Sequence, residues 1–460
     1  MLKRLAILYP LLFAAFPVLA IAARNPGEYT LGDLLVVLLV VLLAVGLVLG
    51  AATLFLRRFG EGLPAAVTVL AVVVFFFYVP AREWIDPHIA GTVLDQAGLV
   101  PIAIGLALVV ILGWLVRNAR RLAPLTPLLA TMGLILVTWN AVRVALDQVR
   151  GSQAAARTAL VRKLAEPIAT RPGAVPGPRR DIYLIILDQY ANAKVLREFY
   201  GFDNRAFEDS LRGLGFTIPA TTRSNYDGTQ MSLPSLLNFA HITPLEAELG
   251  NTTDRTVLRH LIKRNRLVRF LRAQGYQFVL IPAGWEGTSD SPYADRVMRQ
   301  TVGLDLGREL DRTELRDVLR STTLLNRVLD LASSRPDSWI LDAFDSLKAV
   351  ASEPATTFTL THFMMPHRLY RYDEHCRPTP LWVRRLANES PAAKAAYLGQ
   401  LRCTNRRVLD VARTILSRSG TPPIIVIQAD HGSRTLPTDR WGTPEDFRAQ
   451  ARERFGAFGA

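Results

Sequence analysis

The stretch Ile182-Tyr183-Leu184-Ile185-Ile186-Leu187 is continuously apolar, and Asp188 follows it at once. Short apolar runs without polar alternation are typical of strands that are buried on both faces of a parallel sheet. Three similar runs lie at residues 277–281, 357–361 and 424–427. Helical patterns separate these runs and cover Asn204–Leu214, Thr256–Gln274, Asp311–Leu331 and Ala392–Ser417. The sequence therefore predicts an α/β domain with a mainly parallel central sheet that helices cover on both faces.

Polar residues follow three of these predicted strands. Asp188 comes directly after the first, His367 follows the third after a short turn, and Asp430-His431 follow the fourth. Because ligands bind at the carboxyl ends of parallel strands, we expect these side chains to converge on one edge of the sheet. Carboxylate and imidazole donors suit zinc, manganese or magnesium, so the pattern predicts a divalent metal site.

Thr229 is the candidate for a further metal ligand. Gly228 precedes it, and a short helix is predicted to begin there. A hydroxyl at a helix N-terminus lies where backbone amides stabilise an anion, and a bound metal lowers its pKa enough to make it a nucleophile. The structural alternatives are a helix cap for Thr229, a turn residue for Asp188 and a loop histidine for His367. Ser232 and Ser235 are rival hydroxyls, but they lie inside the predicted helix.

The N-terminal part of the chain has a different composition. Five apolar segments are long enough to cross a bilayer, which requires about 17–25 residues: Leu5–Ala22, Leu31–Leu56, Leu63–Val79, Leu99–Val116 and Leu122–Val142. The predicted organisation is an all-α transmembrane domain over residues 1–148, a linker over 149–180 and the α/β domain over 181–460.

The positive charges predict the orientation of these segments. Lysine and arginine are concentrated in alternate loops, at Lys3-Arg4, Arg57-Arg58, Arg117, Arg120 and Arg121. The positive-inside rule places these loops in the cytoplasm, so five spans put residues after 150 outside it. The first segment also fits a cleavable signal peptide, which would leave four spans and the same final location. We therefore expect a multi-pass protein of the cytoplasmic (inner) membrane with an extracytoplasmic α/β domain.

The two cysteines and the net charge bear on compartment and partners. Cys376 and Cys403 both lie in the exported part, where an oxidising compartment favours a disulfide; two separate buried thiols are the alternative. The net charge of +14 is not accompanied by an aromatic-basic stripe, so nucleic acid is not indicated as a partner. Membrane lipids with anionic head groups are the expected partners of a basic, membrane-tethered domain.

These motifs also carry a family resemblance. Asp188 after its strand, residues 225–238, Pro366-His367 and the ADHG motif at 429–432 resemble the sulfatase-like branch of the alkaline phosphatase superfamily. The likeness is greatest to membrane-anchored lipoteichoic acid synthases and lipid A phosphoethanolamine transferases. It implies that Asp188, Thr229, Asp430 and His431 bind the metal and that Thr229 is the nucleophile. It also implies substrate contacts from Arg223, Asn225 and His367, the last of which touches the transferred group or a second metal.

The expected function is metal-dependent transfer of a phospho-group to an envelope lipid or glycan, from or to an anionic phospholipid or glycan substrate. Hydrolysis of sulfate or phosphate esters is the enzymatic alternative, although the Cys-x-Pro-x-Arg motif of arylsulfatases is absent from the sequence and Gln189 follows Asp188. A catalytically inactive binding module is the third possibility. The chain ends about 30 residues after the metal motif, which suggests a truncated domain with an uncovered sheet edge.

Overall fold

A computed structural model describes residues 2–89, 100–169, 177–298, 339–384, 386, 390–436 and 443–460, and also residues 315, 319 and 322–324. The chain divides into two compact units. One comprises Met1–Gly151 with Leu306–Ser334, and the other comprises Ser152–Asp305 with Arg335–Ala460.

The first unit is built from long apolar helices. The predicted apolar segments form helices α1 to α5: Leu2–Arg24, Leu31–Leu56, Leu63–Ile89, Val100–Arg117 and Thr126–Arg157. Each contains a stretch that is long and apolar enough to cross a membrane, which confirms the prediction of five such helices. The predicted start of the fourth segment, Leu99, lies outside the described residues. Thr30 caps α2 through a reciprocal pair of hydrogen bonds with Asp33, which explains why the helix begins there.

The surface of these helices is apolar. On α2, Leu39, Leu43 and Leu47 are spaced by one helical turn and are 59%, 61% and 76% exposed. The opposite side of the helix packs inward, where Val37 joins a buried cluster with side chains of α1 and α3. Leu315 and Leu319 belong to the same cluster; the rest of the helix predicted at 311–331 lies almost wholly outside the described residues. An outer leucine stripe of this size is suited to lipid and would be unfavourable in water.

The second unit contains a parallel sheet of five strands. They are β1 to β5: Ile182–Leu187, Gln277–Ile281, Arg296–Val297, Thr357–Phe363 and Ile424–Ala429. Their order across the sheet is β3-β2-β4-β1-β5, and every pairing is parallel. The four predicted strands are confirmed, β3 is an addition, and β4 continues two residues beyond its predicted end. Because β1 lies between β4 and β5, the ends of these three strands are neighbours.

Helices lie on both faces of this sheet, as the sequence predicts. Helices α6 to α16 are Ala159–Ala165, Ala193–Tyr200, Arg205–Gly213, Thr229–Asn238, Pro244–Leu249, Thr256–Lys263, Arg266–Ala273, Trp339–Val350, Leu381–Arg384, Pro391–Arg418 and Pro444–Phe455. On β1, Tyr183 and Ile185 face a core that includes α7, α8, α13 and α15. Leu184 and Ile186 face a second core that includes α9, α11 and α12.

The prediction of one helix over 256–274 is wrong, because the helix is interrupted. Asn265 has extended backbone angles (φ −67°, ψ 158°), and its side chain accepts a hydrogen bond from the Val268 amide. Asn265 therefore caps a new helix, α12. Residues 149–169, predicted as a linker, are also largely helical, since they comprise the end of α5 and all of α6.

The last residues of the chain fold back onto β5. The amide of Ile427 donates to Ala460, and the amide of Ala460 donates to Ile427, at 2.9 and 2.7 Å. The amide of Ala429 likewise donates to Phe458 at 2.9 Å. The expectation of an uncovered edge at this strand is wrong, because residues 458–460 pair with it in antiparallel fashion. Nearby, Cys376 and Cys403 form a disulfide that ties the loop after β4 to α15.

Candidate metal centre

The ends of β1, β4 and β5 bring the polar residues together. Leu187 pairs in register with Phe363 on one side and with Ala429 on the other. Asp188 and Asp430, each the first residue after its strand, therefore lie at the same edge. Both carboxylates are buried, with 1% and 2% of each residue exposed.

The four residues expected to bind metal have their donor atoms close together. The Thr229 hydroxyl donates to Asp430 Oδ2 at 2.6 Å and lies 3.3 Å from His431 Nε2. His431 Nε2 is 3.5 Å from Asp188 Oδ1 and 3.5 Å from Asp430 Oδ2. Tetrahedral ligands at about 2.0–2.2 Å from a zinc ion are roughly 3.3–3.6 Å from one another. The donor spacing therefore fits one small divalent cation.

His362, which the sequence analysis did not select, belongs to the same cluster. Its Nε2 atom lies 3.7 Å from Asp188 Oδ2 and 4.0 Å from Asp430 Oδ2. The residue is 1% exposed, and one donor from each of Asp188, His362 and Asp430 lies within 4.8 Å of the others. The signal in the sequence was a histidine that directly continues an apolar strand. Because the predicted strand ended at Thr361, the sequence analysis assigned no function to His362.

Several buried atoms of this cluster lack a partner. Both carboxylate oxygens of Asp188 and the Nε2 atom of His362 have no hydrogen-bond partner among the residues that the structure describes. Burial, followed by the charge of Asp430, raises the pKa of Asp188 well above its ordinary value. Burial also lowers the pKa of His362 to about 4, so its imidazole is neutral at pH 7. An unpaired buried carboxylate is costly, and a cation bound at this point would remove that cost. The residues fit a divalent metal.

Hydrogen bonds outside the cluster orient its donors. His431 Nδ1 faces the Gly432 carbonyl oxygen at 2.7 Å; because a carbonyl only accepts, Nδ1 carries the proton and Nε2 presents a lone pair to the cluster. Asp430 Oδ1 accepts from the amides of His431 at 2.8 Å and Gln189 at 3.2 Å. Gln189 has a left-handed backbone conformation (φ 60°), which the hydrogen bond to Asp430 helps to stabilise.

Thr229 is the first residue of α9 and is not its cap. The residue before the helix is Gly228, whose backbone is extended, and the Thr229 hydroxyl turns to Asp430. A Cβ atom at Gly228 would lie 2.8 Å from Arg434 Nη2, so glycine permits that close approach. The rival hydroxyls are engaged elsewhere. Ser232 donates to the Tyr226 carbonyl at 2.9 Å, and Ser235 accepts from Asn225 at 2.9 Å.

The residues expected to contact substrate lie outside the metal cluster. His367 is half-buried, and its Nδ1 donates to the Arg368 carbonyl at 2.7 Å. Burial lowers the pKa of His367 to about 4, although its hydrogen bond to the Arg368 carbonyl acts in the opposite direction. Arg223 and Asn225 are exposed.

A second missed residue is Glu453 in α16. It is completely buried, and its carboxylate accepts hydrogen bonds from Ser433, Thr435 and Leu436, in the loop after His431. Arg454, its neighbour, contacts Asp227 at 3.3 Å, close before Thr229. The C-terminal helix thus holds the loops of the metal cluster and of the candidate nucleophile.

Comparisons with known proteins concern the fold. No family model matches the chain, and no curated protein does. Among solved structures, the chain is similar to the periplasmic domain of EcEptC from Escherichia coli in complex with zinc (16% identity, 64% of this chain and 75% of that one, TM-score 0.41). It is also similar to the lipooligosaccharide phosphoethanolamine transferase EptA from Neisseria meningitidis. The identity is 12%, the match covers 100% of this chain and 87% of that one, and the TM-score is 0.37. A third match is a 2-O GAG sulfatase. The identity is 13%, the match covers 61% of this chain and 64% of that one, and the TM-score is 0.37.

Proposed function

We propose that this protein is a membrane-anchored, metal-dependent enzyme that transfers a phospho-group to an envelope lipid or glycan, with Thr229 as the nucleophile. The observation that carries the proposal is the position of the Thr229 hydroxyl. It lies 2.6 Å from a carboxylate oxygen of Asp430 and 3.3 Å from His431 Nε2, beside the carboxylate of Asp188, which accepts no hydrogen bond from the described residues. A threonine used only as a helix cap does not require two buried aspartates and a histidine at its hydroxyl.

Asp188, Thr229, Asp430 and His431 would hold the metal, with His362 as an additional donor. A bound zinc, manganese or magnesium ion would supply Lewis acidity, which favours the alkoxide form of threonine. Asp430 Oδ2, which already accepts the Thr229 hydrogen bond, is placed to receive its proton. The Thr229 oxygen would form a bond to phosphorus while the bond from phosphorus to the donor's alcohol oxygen breaks. The leaving alcohol oxygen would take up the proton that Asp430 received.

The N-terminus of α9 faces the reacting group. Thr229 begins this helix of 10 residues, whose first amide groups have no partner within the helix and stabilise an anion. The acceptor hydroxyl would next attack the phosphorus. The bond from phosphorus to the Thr229 oxygen would break, and the acceptor's proton would pass to that oxygen and restore the threonine. If water took the place of that hydroxyl, the same residues would hydrolyse the ester, which is the alternative function.

The N-terminal unit supports an envelope location for the substrate. Five helices are suited to a bilayer, and the lysine and arginine residues of their loops favour a cytoplasmic N-terminus. We therefore place the protein in the cytoplasmic (inner) membrane with its metal centre outside the cytoplasm. A phospholipid donor in the outer leaflet would be on the same side of the membrane as such a site.

The test uses the full-length protein in detergent with one divalent metal at a time. It is incubated with phosphatidylethanolamine or phosphatidylglycerol whose head group is labelled, and the peptide that contains Thr229 is then analysed by mass spectrometry. We expect the peptide to gain the mass of the phosphorylated head group in the wild type and not in Thr229→Ala. Ser232→Ala is the matched control and should be labelled like the wild type.

Three results would overturn the proposal in whole or in part. Labelling that persists in Thr229→Ala and disappears in Ser232→Ala would show that the nucleophile is the serine. An absence of metal binding and of labelling with every donor would favour a binding module. Release of the free head group to water, without transfer to an added glycan or lipid acceptor, would establish the hydrolase.

A further inference from the structure

A short turn packs directly against His362. Residues Glu286–Thr288 form a single 3₁₀ turn after Trp285. The Trp285 ring stands edge-on to the His362 ring, with 5.7 Å between centroids and 89° between planes. Thr288 is 3% exposed, and its Oγ1 lies 3.4 Å from His362 Nδ1. The imidazole therefore has one nitrogen at Thr288 and the other at the two aspartates.

The proton of the Thr288 hydroxyl has a defined acceptor. Thr288 Oγ1 lies 3.3 Å from the Trp285 carbonyl oxygen, which only accepts. Since the hydroxyl has one proton to donate, it acts as an acceptor toward His362 Nδ1. Nδ1 then carries the imidazole proton, and Nε2 of the neutral ring carries a lone pair.

The surroundings of Nε2 agree with a lone pair. The nearest carboxylate oxygens lie 3.7 Å away on Asp188 and 4.0 Å away on Asp430. A proton on Nε2 would favour a hydrogen bond to one of these buried carboxylates, and Nε2 makes none within the described part of the chain. The spacing instead leaves room for an ion between the donors.

Buried charges hold the turn in place. Glu286 is 5% exposed and pairs with Lys263 at 3.0 Å and with Arg259, both on α11. Ser289 donates to the Glu286 carbonyl at 2.8 Å. These contacts fix the turn between α11 and the end of β4, so the distance from Thr288 to His362 is set by the fold.

We propose that Thr288 is a positioning residue that holds His362 in the Nδ1–H tautomer, which makes Nε2 a donor to the bound metal. The inference rests on the proposed function, because it assumes a metal among Asp188, Thr229, Asp430 and His431. The metal would then have a further ligand from β4, His362, and Thr288 would be the residue that orients this ligand. Partners of this kind typically contribute 10- to 100-fold in metal affinity.

The test measures metal affinity of the full-length protein by competition between Zn²⁺ or Mn²⁺ and a chromophoric chelator. Thr288→Val keeps the side-chain volume and removes the hydroxyl, and we expect roughly 10- to 100-fold weaker binding. Thr288→Ser keeps the hydroxyl and should bind the metal with the affinity of the wild type. If Thr288→Val folds poorly, Thr288→Ala takes its place. It also lacks the hydroxyl and should show the same loss of metal affinity. The optical spectrum of the Co²⁺ form should change in the variants without the hydroxyl and stay unchanged in Thr288→Ser.

A double-mutant cycle separates positioning from general packing. In the His362→Gln background, Thr288→Val should cause no further loss of affinity, because the residue it orients is gone. Wild-type affinity in Thr288→Val, or an equal loss in both backgrounds, would overturn the inference and leave the proposed function standing. A wild-type protein that binds no metal would overturn both.

Discussion

Replacing Glu453 by glutamine tests whether the C-terminal helix stabilises the metal loop. Glu453 Oε1 accepts from Ser433 Oγ at 3.2 Å and from the amide and hydroxyl of Thr435 at 2.7 Å each. Oε2 accepts from the Leu436 amide at 3.0 Å. Glutamine retains one acceptor oxygen. With that oxygen at the Oε1 position, its NH₂ group faces the Leu436 N–H, and two donors oppose each other.

The expected loss of stability in Glu453→Gln follows from these hydrogen bonds. One hydrogen bond to a charged acceptor disappears, which costs about 1.5–3 kcal/mol. Four remain, including one from the Tyr200 hydroxyl at 3.4 Å. They lose the assistance of the negative charge, so we expect a total destabilisation of about 3 kcal/mol. At about 2–4 °C per kcal/mol for a domain of this size, the Tm should fall by about 6–12 °C. Because the loop directly follows Asp430 and His431, affinity for the metal should also fall.

The assay is thermal unfolding of the full-length protein in detergent, followed by tryptophan fluorescence at one scan rate. Glu445→Gln is the matched control, since Glu445 is exposed in the first turn of the same helix. It should cost less than about 1 kcal/mol, through the helix dipole alone. If Glu453→Gln unfolds at the wild-type temperature and binds metal normally, the buried carboxylate does not hold the loop.

Three other substitutions or fusions give independent tests. Gly432→Ala would place a Cβ atom against the Glu453 backbone carbonyl oxygen, well inside van der Waals contact. It should therefore abolish metal binding or folding, as judged by chelator competition and Tm. Gly420→Ala, whose Cβ atom would meet no described residue within 4 Å, should leave both unchanged. Replacing Cys376 and Cys403 by serine opens a loop with a sequence separation of 27, and a loss of about 3–4 kcal/mol is expected; equal Tm values for the serine variant and the oxidised wild type would contradict it. A reporter fused after residue 180 that is active only outside the cytoplasm should be active, and a silent fusion would reverse the topology.

The sequence determined the architecture because the relevant signals are local. Continuous apolar runs of about 20 residues specify membrane-length helices, and runs of about six specify buried strands. The rule that ligands lie at the carboxyl ends of parallel strands then pointed to Asp188 and Asp430 without knowledge of the strand order. In the structure these two side chains do lie at one edge.

The residues at which some strands and helices end are determined by contacts that the local sequence pattern does not show. Strand β4 continues through His362 because its residues pair with β1 as far as Phe363, and no local pattern marks that end. The sequence therefore favoured His367, which lies outside the cluster. The break at Asn265 depends on a side chain that caps α12, and a continuous helical pattern hides it.

Only the tertiary structure shows which of the three hydroxyls of α9 lies beside the buried aspartates. Thr229, Ser232 and Ser235 share one short helix, and the sequence alone gives each of them a plausible chemistry. Thr229 is within hydrogen-bond distance of Asp430, about 200 residues away in the chain, while the two serines bond to Tyr226 and Asn225. For the same reason, the sequence contained no sign of the role of Glu453. Its hydrogen-bond partners depend on how α16 packs against the loop after His431. Local hydrophobic pattern encodes the elements, and the donors and acceptors that meet in a site are set by packing between elements that are far apart in the sequence.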